Sequence, residues 1–256
     1  MLNGEQTLYV SCAVSKHVAI LRRSTSGVMR ELDRVPLEGG NGRLSSLPLA
    51  LSPDRRILFA ALREAPNPVY SFTIDPASGA LSPKERLELP GCPAFIATDP
   101  SGRYLVSASY HDRHVAVCDL QGSGRGSVKT CVLDNTSKAH SIRFHPAGRQ
   151  FYVGVVGADQ IMQFRLEAGN PVLISRFQAK PRTGPRHIAM NTQGNYLYAV
   201  DEKSATVGAY AVDSASGDLT ELQSLSLAPA DVNALGAAKV HGSADVHLTP
   251  DGRFLY

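Results

Sequence analysis

The chain has 256 residues, with 26 Lys+Arg against 23 Asp+Glu, a formal net charge of +3 and 43% apolar residues. This composition excludes disorder and collagen-like structure. A charge of +3 over this length is too weak to recruit nucleic acid or an acidic membrane surface, and no run of 18 apolar residues is present to span a bilayer as a helix.

The start, Met1 to Thr7, is polar and lacks the basic residues and apolar stretch of a secretory leader, so a cytoplasmic address is expected. Leu8-Tyr-Val-Ser11 then opens a partial repeat unit. Fuller units follow, and each carries one recognisable turn: Leu51-Ser-Pro-Asp-Arg-Arg-Ile-Leu-Phe59, Thr98-Asp-Pro-Ser-Gly-Arg-Tyr-Leu-Val106, Phe144-His-Pro-Ala-Gly-Arg-Gln-Phe-Tyr152, Met190-Asn-Thr-Gln-Gly-Asn-Tyr-Leu-Tyr198 and Leu248-Thr-Pro-Asp-Gly-Arg-Phe-Leu-Tyr256. The anchors Pro53, Pro100, Pro146, Thr192 and Pro250 are spaced by 47, 46, 46 and 58 residues. A second motif keeps the same period: Asp75-Pro-Ala-Ser-Gly-Ala-Leu81 matches Asp213-Ser-Ala-Ser-Gly-Asp-Leu219 at a distance of 138 residues, three steps of 46.

Each unit reads as four short strands. An apolar run precedes the anchor, a Pro-x-Gly type turn reverses the chain, a second run follows, and an alternating third run and a last strand complete it. No long segment keeps a 3.6-residue period. Four antiparallel strands per unit of about 46 residues is the arithmetic of a β-propeller blade. The predicted fold is therefore all-β, a single β-propeller domain over 1–256. About five and a half blades are present, so an incomplete ring, truncated at its C-terminal side, is expected. The long step places an Ala- and Gly-rich insertion near residues 228–241, and such insertions usually lie on one face of a propeller. Cys12, Cys92, Cys118 and Cys131 are far apart in sequence and form no CxxC pair, so they are expected to be buried, reduced thiols.

A repeat supplies its own control: a structural slot holds similar residues in every unit, and a functional slot breaks the pattern. Six residues before the anchor stand Leu47, Ala94, His140, Arg186 and Ala244. Ten residues after it stand Arg63, Tyr110, Val156 and Glu202. The first slot opens the first strand and the second closes its antiparallel neighbour, so the two share one end of the sheet. In a propeller the first strand lines the central channel. His140, Arg186 and Glu202 are thus predicted at one channel mouth, with Arg63 and Tyr110 nearby. Arg offers a rigid fork for an anion, and His a base near neutral pH. The competing reading is that Arg186 and Glu202 simply pair within one blade.

Weaker candidates remain. His187, Ser141 and Asp245 share a slot five before the anchor and can line the same channel. Tyr110-His-Asp-Arg-His114 has a spacing that can suit a metal, but the repeat puts it in a turn, and no metal site or cofactor is predicted. His145 is expected to act locally in its turn and His247 to serve packing. Arg22-Arg23 and Lys84-Glu-Arg86 read as solvated faces.

Ala139-His-Ser141, Gly184-Pro-Arg-His187, Val200-Asp-Glu202 and Ala244-Asp-Val-His-Leu-Thr-Pro-Asp-Gly-Arg253 together resemble the seven-bladed propeller lactonase family, which includes bacterial 6-phosphogluconolactonases and fungal carboxymuconate cyclase. The resemblance implies seven blades in the parent and a site of one His, two Arg and one acid. These fall on His140, Arg186 and Glu202, with the second Arg expected four residues past Tyr256. It implies hydrolysis of an anionic lactone, most simply 6-phosphogluconolactone in the pentose phosphate route. Arg186 would hold the anion or polarise the carbonyl, and His140 or Glu202 would activate water. Arg63, Tyr110, His187 and Asp245 would contact substrate. Another sugar lactonase, a muconate-type cyclase and a non-catalytic binding scaffold are the alternatives, since fold alone does not give function.

Overall fold

Alternating apolar and polar residues, broken by turns about every ten positions, produce strands throughout. The computed structural model describes residues 4–39, 46–121, 126–134, 137–148, 150–227 and 242–256, and the predicted insertion at 228–241 lies outside them. Among the described residues there is no helix.

By contacts the chain forms two compact units, Met1–Leu105 with Cys118–Val128 and Val106–Val117 with Lys129–Tyr256. In the first unit, β1 (Gln6–Cys12), β2 (His17–Arg23) and β3 (Met29–Pro36) form a three-stranded antiparallel sheet. β4 (Leu49–Leu51), β5 (Ile57–Ala61), β6 (Pro68–Ile74) and β7 (Leu81–Glu88) form a four-stranded one. A third sheet runs in the order β8 (Pro93–Thr98), β9 (Tyr104–Ser109), β10 (His114–Asp119) and β11 (Val128–Val132). In the second unit, β12 (Ala139–Phe144), β13 (Gln150–Val155), β14 (Gln160–Glu167) and β15 (Asn170–Gln178) make one sheet. β16 (Pro185–Met190), β17 (Tyr196–Asp201), β18 (Thr206–Val212) and β19 (Leu219–Ser226) make the next. The repeat reading thus holds: one partial and four full blades, each a meander in sequence order.

Within each unit, sheets bury their faces against their sequence neighbours. Val18 and Leu37 pack with Leu58, Ala60 and Phe72 in the first unit, and Tyr152 and Ile161 pack with Ile188, Leu197 and Tyr210 in the second. Middle strands are covered on both faces and read as continuous apolar runs, such as Tyr104-Leu-Val-Ser-Ala-Ser109. The outer strand β19 alternates between half-buried and exposed positions at its start. Burying one such Leu or Phe contributes about 1.5–3 kcal/mol.

Both sequence motifs have a structural cause. In the anchor turn, the side chain before the anchor closes the loop. Ser52 Oγ accepts from Ile57 N (2.9 Å), Asp99 Oδ1 from Tyr104 N (2.6 Å), Asn191 Oδ1 from Tyr196 N (3.0 Å) and Thr249 Oγ1 from Phe254 N (3.1 Å). His145 Nδ1 accepts from Ala147 N at 3.1 Å, the local role expected of it. The second motif is a clasp between sheets. Asp75 and Asp213 each accept three local hydrogen bonds that shape their turns. Each turn then receives a tyrosine hydroxyl from another sheet of the same unit, Tyr9 to the Gly79 carbonyl (2.7 Å) and Tyr152 to the Gly217 carbonyl (2.7 Å).

Two expectations need correction. Arg22 is buried, not solvated: its guanidinium donates to the Ser78 carbonyl (2.5 Å) and to Glu5 (3.3 Å), because the strand register turns it toward the Asp75 motif. Of the four cysteines only Cys118 is buried, where burial pushes its thiol up to about 11, and the other three are half-buried. All four are free thiols.

Candidate active site

The first strands of the two sheets in the second unit carry the same irregularity. On β12, Ala139 pairs with Val155 and Ser141 with Gly154, so His140 is an extra, bulged residue. On β16, Pro185 pairs with Asp201 and His187 with Val200, so Arg186 is bulged in the same place. A bulge breaks the strict alternation of side chains and re-aims one of them. The two slot-breaking residues found in the sequence are therefore the two bulged ones.

The neighbouring slot completes a cation–carboxylate pair. Glu202 follows β17 directly, and its backbone N–H donates to the Gly184 carbonyl (2.8 Å). This sets its carboxylate beside Arg186, with Nε to Oε2 at 2.8 Å. The Arg186 Nη1 also donates to the Ala244 carbonyl. Its remaining nitrogen, Nη2, has no hydrogen-bond partner among the described residues. The Arg186 side chain is 23% exposed and that of Glu202 35%, so both are partly screened yet reachable.

Two imidazoles stand beside them. The His140 and His187 ring centroids are 5.0 Å apart, and Tyr110 meets His140 edge-on at 5.8 Å. Lys138 Nζ lies 5.3 Å from the Tyr110 ring centroid. His187 Nδ1 lies 2.7 Å from Asp245 Oδ1, and His247 Nε2 lies 3.1 Å from Asp245 Oδ2. Burial holds the His187 imidazole below its ordinary range, against the upward pull of Asp245. Burial works to raise the Asp245 carboxyl, but His187, the Val246 N–H and His247 together hold it below the usual range.

The second unit thus brings together His140, Arg186, Glu202, Tyr110, His187 and Asp245. Arg63 lies in the first unit, where its guanidinium donates to Ser46 Oγ (2.8 Å). His247 is exposed and lies against the Asp245 carboxylate, and is not a packing residue as its slot suggested. The 110–113 turn leads into His114, which opens β10, is buried and has its Nδ1 3.3 Å from the Asp112 carbonyl.

Sequence reasoning missed Asp159. Its carboxylate accepts from Arg182 N, Gly184 N and Lys203 Nζ, each at 2.9 Å, and so pins the loop that leads into Arg186. Burial works to raise this carboxyl, but the Lys203 ammonium and the two backbone donors hold it low. A signal existed. Asp159 shares a left-handed turn position with Asn67, Arg113 and Ala205 (φ 57°, 54° and 50°, against 54° for Asp159), and it is the only acid among these four.

Antiparallel four-stranded blades, with a guanidinium–carboxylate pair and two imidazoles at the bulged ends of their first strands, define a β-propeller with a polar site suited to an anionic or carbonyl-bearing small molecule. The family model "Lactonase, 7-bladed beta-propeller" matches residues 36–256, and the chain belongs to that family. A 6-phosphogluconolactonase of Enterobacter sp. (strain 638) is 30% identical over 98% of this chain and 73% of its own length. One from Serratia proteamaculans is 31% identical with the same coverage. Among solved structures, the Pseudomonas aeruginosa periplasmic gluconolactonase PpgL superposes with a TM-score of 0.81 at 25% identity, over 98% of this chain and 75% of that one. Family membership and these relatives support a lactone hydrolase.

Proposed function

We propose that the chain hydrolyses 6-phosphogluconolactone to 6-phosphogluconate. The observation that carries this reading is the Arg186 guanidinium, held by Glu202 and the Ala244 carbonyl beside two imidazoles 5.0 Å apart. Ester hydrolysis needs a fixed cation for the oxyanion and a base for water. Arg186 supplies the first through Nη2. Glu202 is committed to Nε at 2.8 Å, so its role is to hold the fork in place. In this reading the lactone lies on the His140 side of the guanidinium, which Tyr110 and Lys138 border. Lys138 is the candidate cation for a phosphate. A phosphorylated substrate fits the cytoplasmic address expected from the sequence. Among the described residues no helix is long and apolar enough to cross a membrane.

The likeness to a gluconolactonase supports a second reading, in which the substrate carries no phosphate. Hydrolysis rates above the spontaneous rate, measured for the phosphorylated and plain lactones side by side, separate the two. Faster kcat/KM on the phosphorylated lactone is expected. Equal or faster turnover of the plain sugar lactone would replace the first reading by the second.

A further inference from the structure

The Arg186–Glu202 pair leaves unused a second array in the same cluster, His187, Asp245 and His247. We propose that His187, oriented by Asp245, is the proton-transfer group of the lactone reaction. The inference rests on the lactonase reading and assigns its base.

Three observations converge on His187. A carboxylate oxygen 2.7 Å from Nδ1 selects the tautomer with the proton on Nδ1, which puts the basic lone pair on Nε2. The dipeptide Ala244-Asp245 holds both functional groups at once: Ala244 receives the Arg186 guanidinium through its carbonyl, and Asp245 receives the His187 ring. Guanidinium and imidazole are thereby fixed relative to each other by one short stretch of backbone. The charged and titratable groups acting on His187 are Asp245, Arg186 and His247, with the His140 ring 5.0 Å away, and burial together with Arg186 and His247 outweighs the pull of Asp245 and favours the neutral imidazole, the form that can accept a proton. Its side chain is 17% exposed, shielded but within reach of a water. Glu202 is less suited, because its carboxylate already pairs with Arg186.

The step balances without a co-reactant. The water oxygen bonds to the carbonyl carbon as Nε2 takes one of its protons, and Arg186 faces the oxyanion. The bond from that carbon to the ring oxygen then breaks, and the imidazolium returns the proton to the departing oxygen. The open-chain hydroxy acid releases its carboxyl proton to solvent. His187 is a catalytic residue in this scheme, and Asp245 is a positioning residue.

The test measures kcat and KM for 6-phosphogluconolactone across pH in the wild type, His187→Gln, Asp245→Asn and Asp245→Glu, with 15N NMR of the His187 ring as a readout that needs no substrate. His187→Gln is expected to lower kcat roughly 10²- to 10⁴-fold and to remove the acidic limb of the profile, with KM changed far less. Asp245→Asn is expected to lower kcat and to move the acidic limb to lower pH, since it removes a charge that favours the imidazolium, and Asp245→Glu to recover part of both. The wild-type ring should be neutral with its proton on Nδ1. A proton on Nε2, or a His187→Gln enzyme that keeps the wild-type kcat and acidic limb, overturns the role of His187 alone. A wild-type chain that opens no lactone overturns the lactonase reading and this role with it.

Discussion

Replacing Gly154 by Ala sets a methyl carbon 2.5 Å from the Arg186 carbonyl oxygen and 3.1 Å from its carbonyl carbon. Real Cβ contacts under 3.0 Å are essentially never seen, so something must move by at least 0.5 Å. The obstacle is backbone and cannot swing aside. Gly154 itself is held between Ser141 and Ile161 in the ladder, and the Arg186 carbonyl already accepts the Ser141 hydroxyl at 2.5 Å. Gly154 does not occupy the left-handed region, so the effect is one of space alone. Overpacking of this kind costs about 1–3 kcal/mol. For a chain of this length that corresponds to a fall in Tm of roughly 2–12 °C. The displaced group is the bulged backbone of Arg186, so catalysis should suffer as well: misplacement of about 1 Å costs roughly 10²-fold, and half that distance roughly tenfold. Thermal unfolding followed by circular dichroism, together with kcat on the lactone, measures both. A Gly154→Ala protein with unchanged Tm and kcat would refute the packing argument and the placement of Arg186 against β13.

Further outcomes follow from the same contacts. Tyr152→Phe should destabilise by about 1 kcal/mol in urea unfolding, because the Gly217 carbonyl loses a buried donor, and Tyr9→Phe should do the same at Gly79. No loss in either would show that the clasp only accompanies packing. Asp159 has a folded-state pKa below its ordinary value, so its contribution is present above the unfolded carboxylate range and is lost as pH falls through the folded value. The stability gap between wild type and Asp159→Asn should therefore narrow on acidification below about pH 4, and a gap that is constant with pH would contradict the Lys203 pairing.

Much of this was legible because the chain repeats itself. The 46-residue period, the four-strand unit and the turn chemistry are local, and slot comparison found His140, Arg186 and Glu202 without any contact information. What escaped depends on neighbours. The bulges at His140 and Arg186 exist only in the pairing register, and nothing in Ala139-His-Ser141 announces an extra residue. Asp159 acts on a loop belonging to a different sheet, so its own blade gives it no apparent purpose. Arg22 looked solvated because its strand does not reveal that a carbonyl of another sheet waits for it. The His187–Asp245 contact joins two members of one slot, and a shared slot marks them as equivalents in successive blades, not as partners.

Whether the Arg186 cluster opens the lactone is read most directly from the rate of 6-phosphogluconolactone hydrolysis above background, for wild type and Arg186→Ala in parallel. Rapid turnover by the wild type is expected, with a loss of roughly 10²- to 10³-fold in kcat for the variant, the scale of a removed oxyanion donor. A folded Arg186→Ala protein that turns over at the wild-type rate would contradict that role for the cluster.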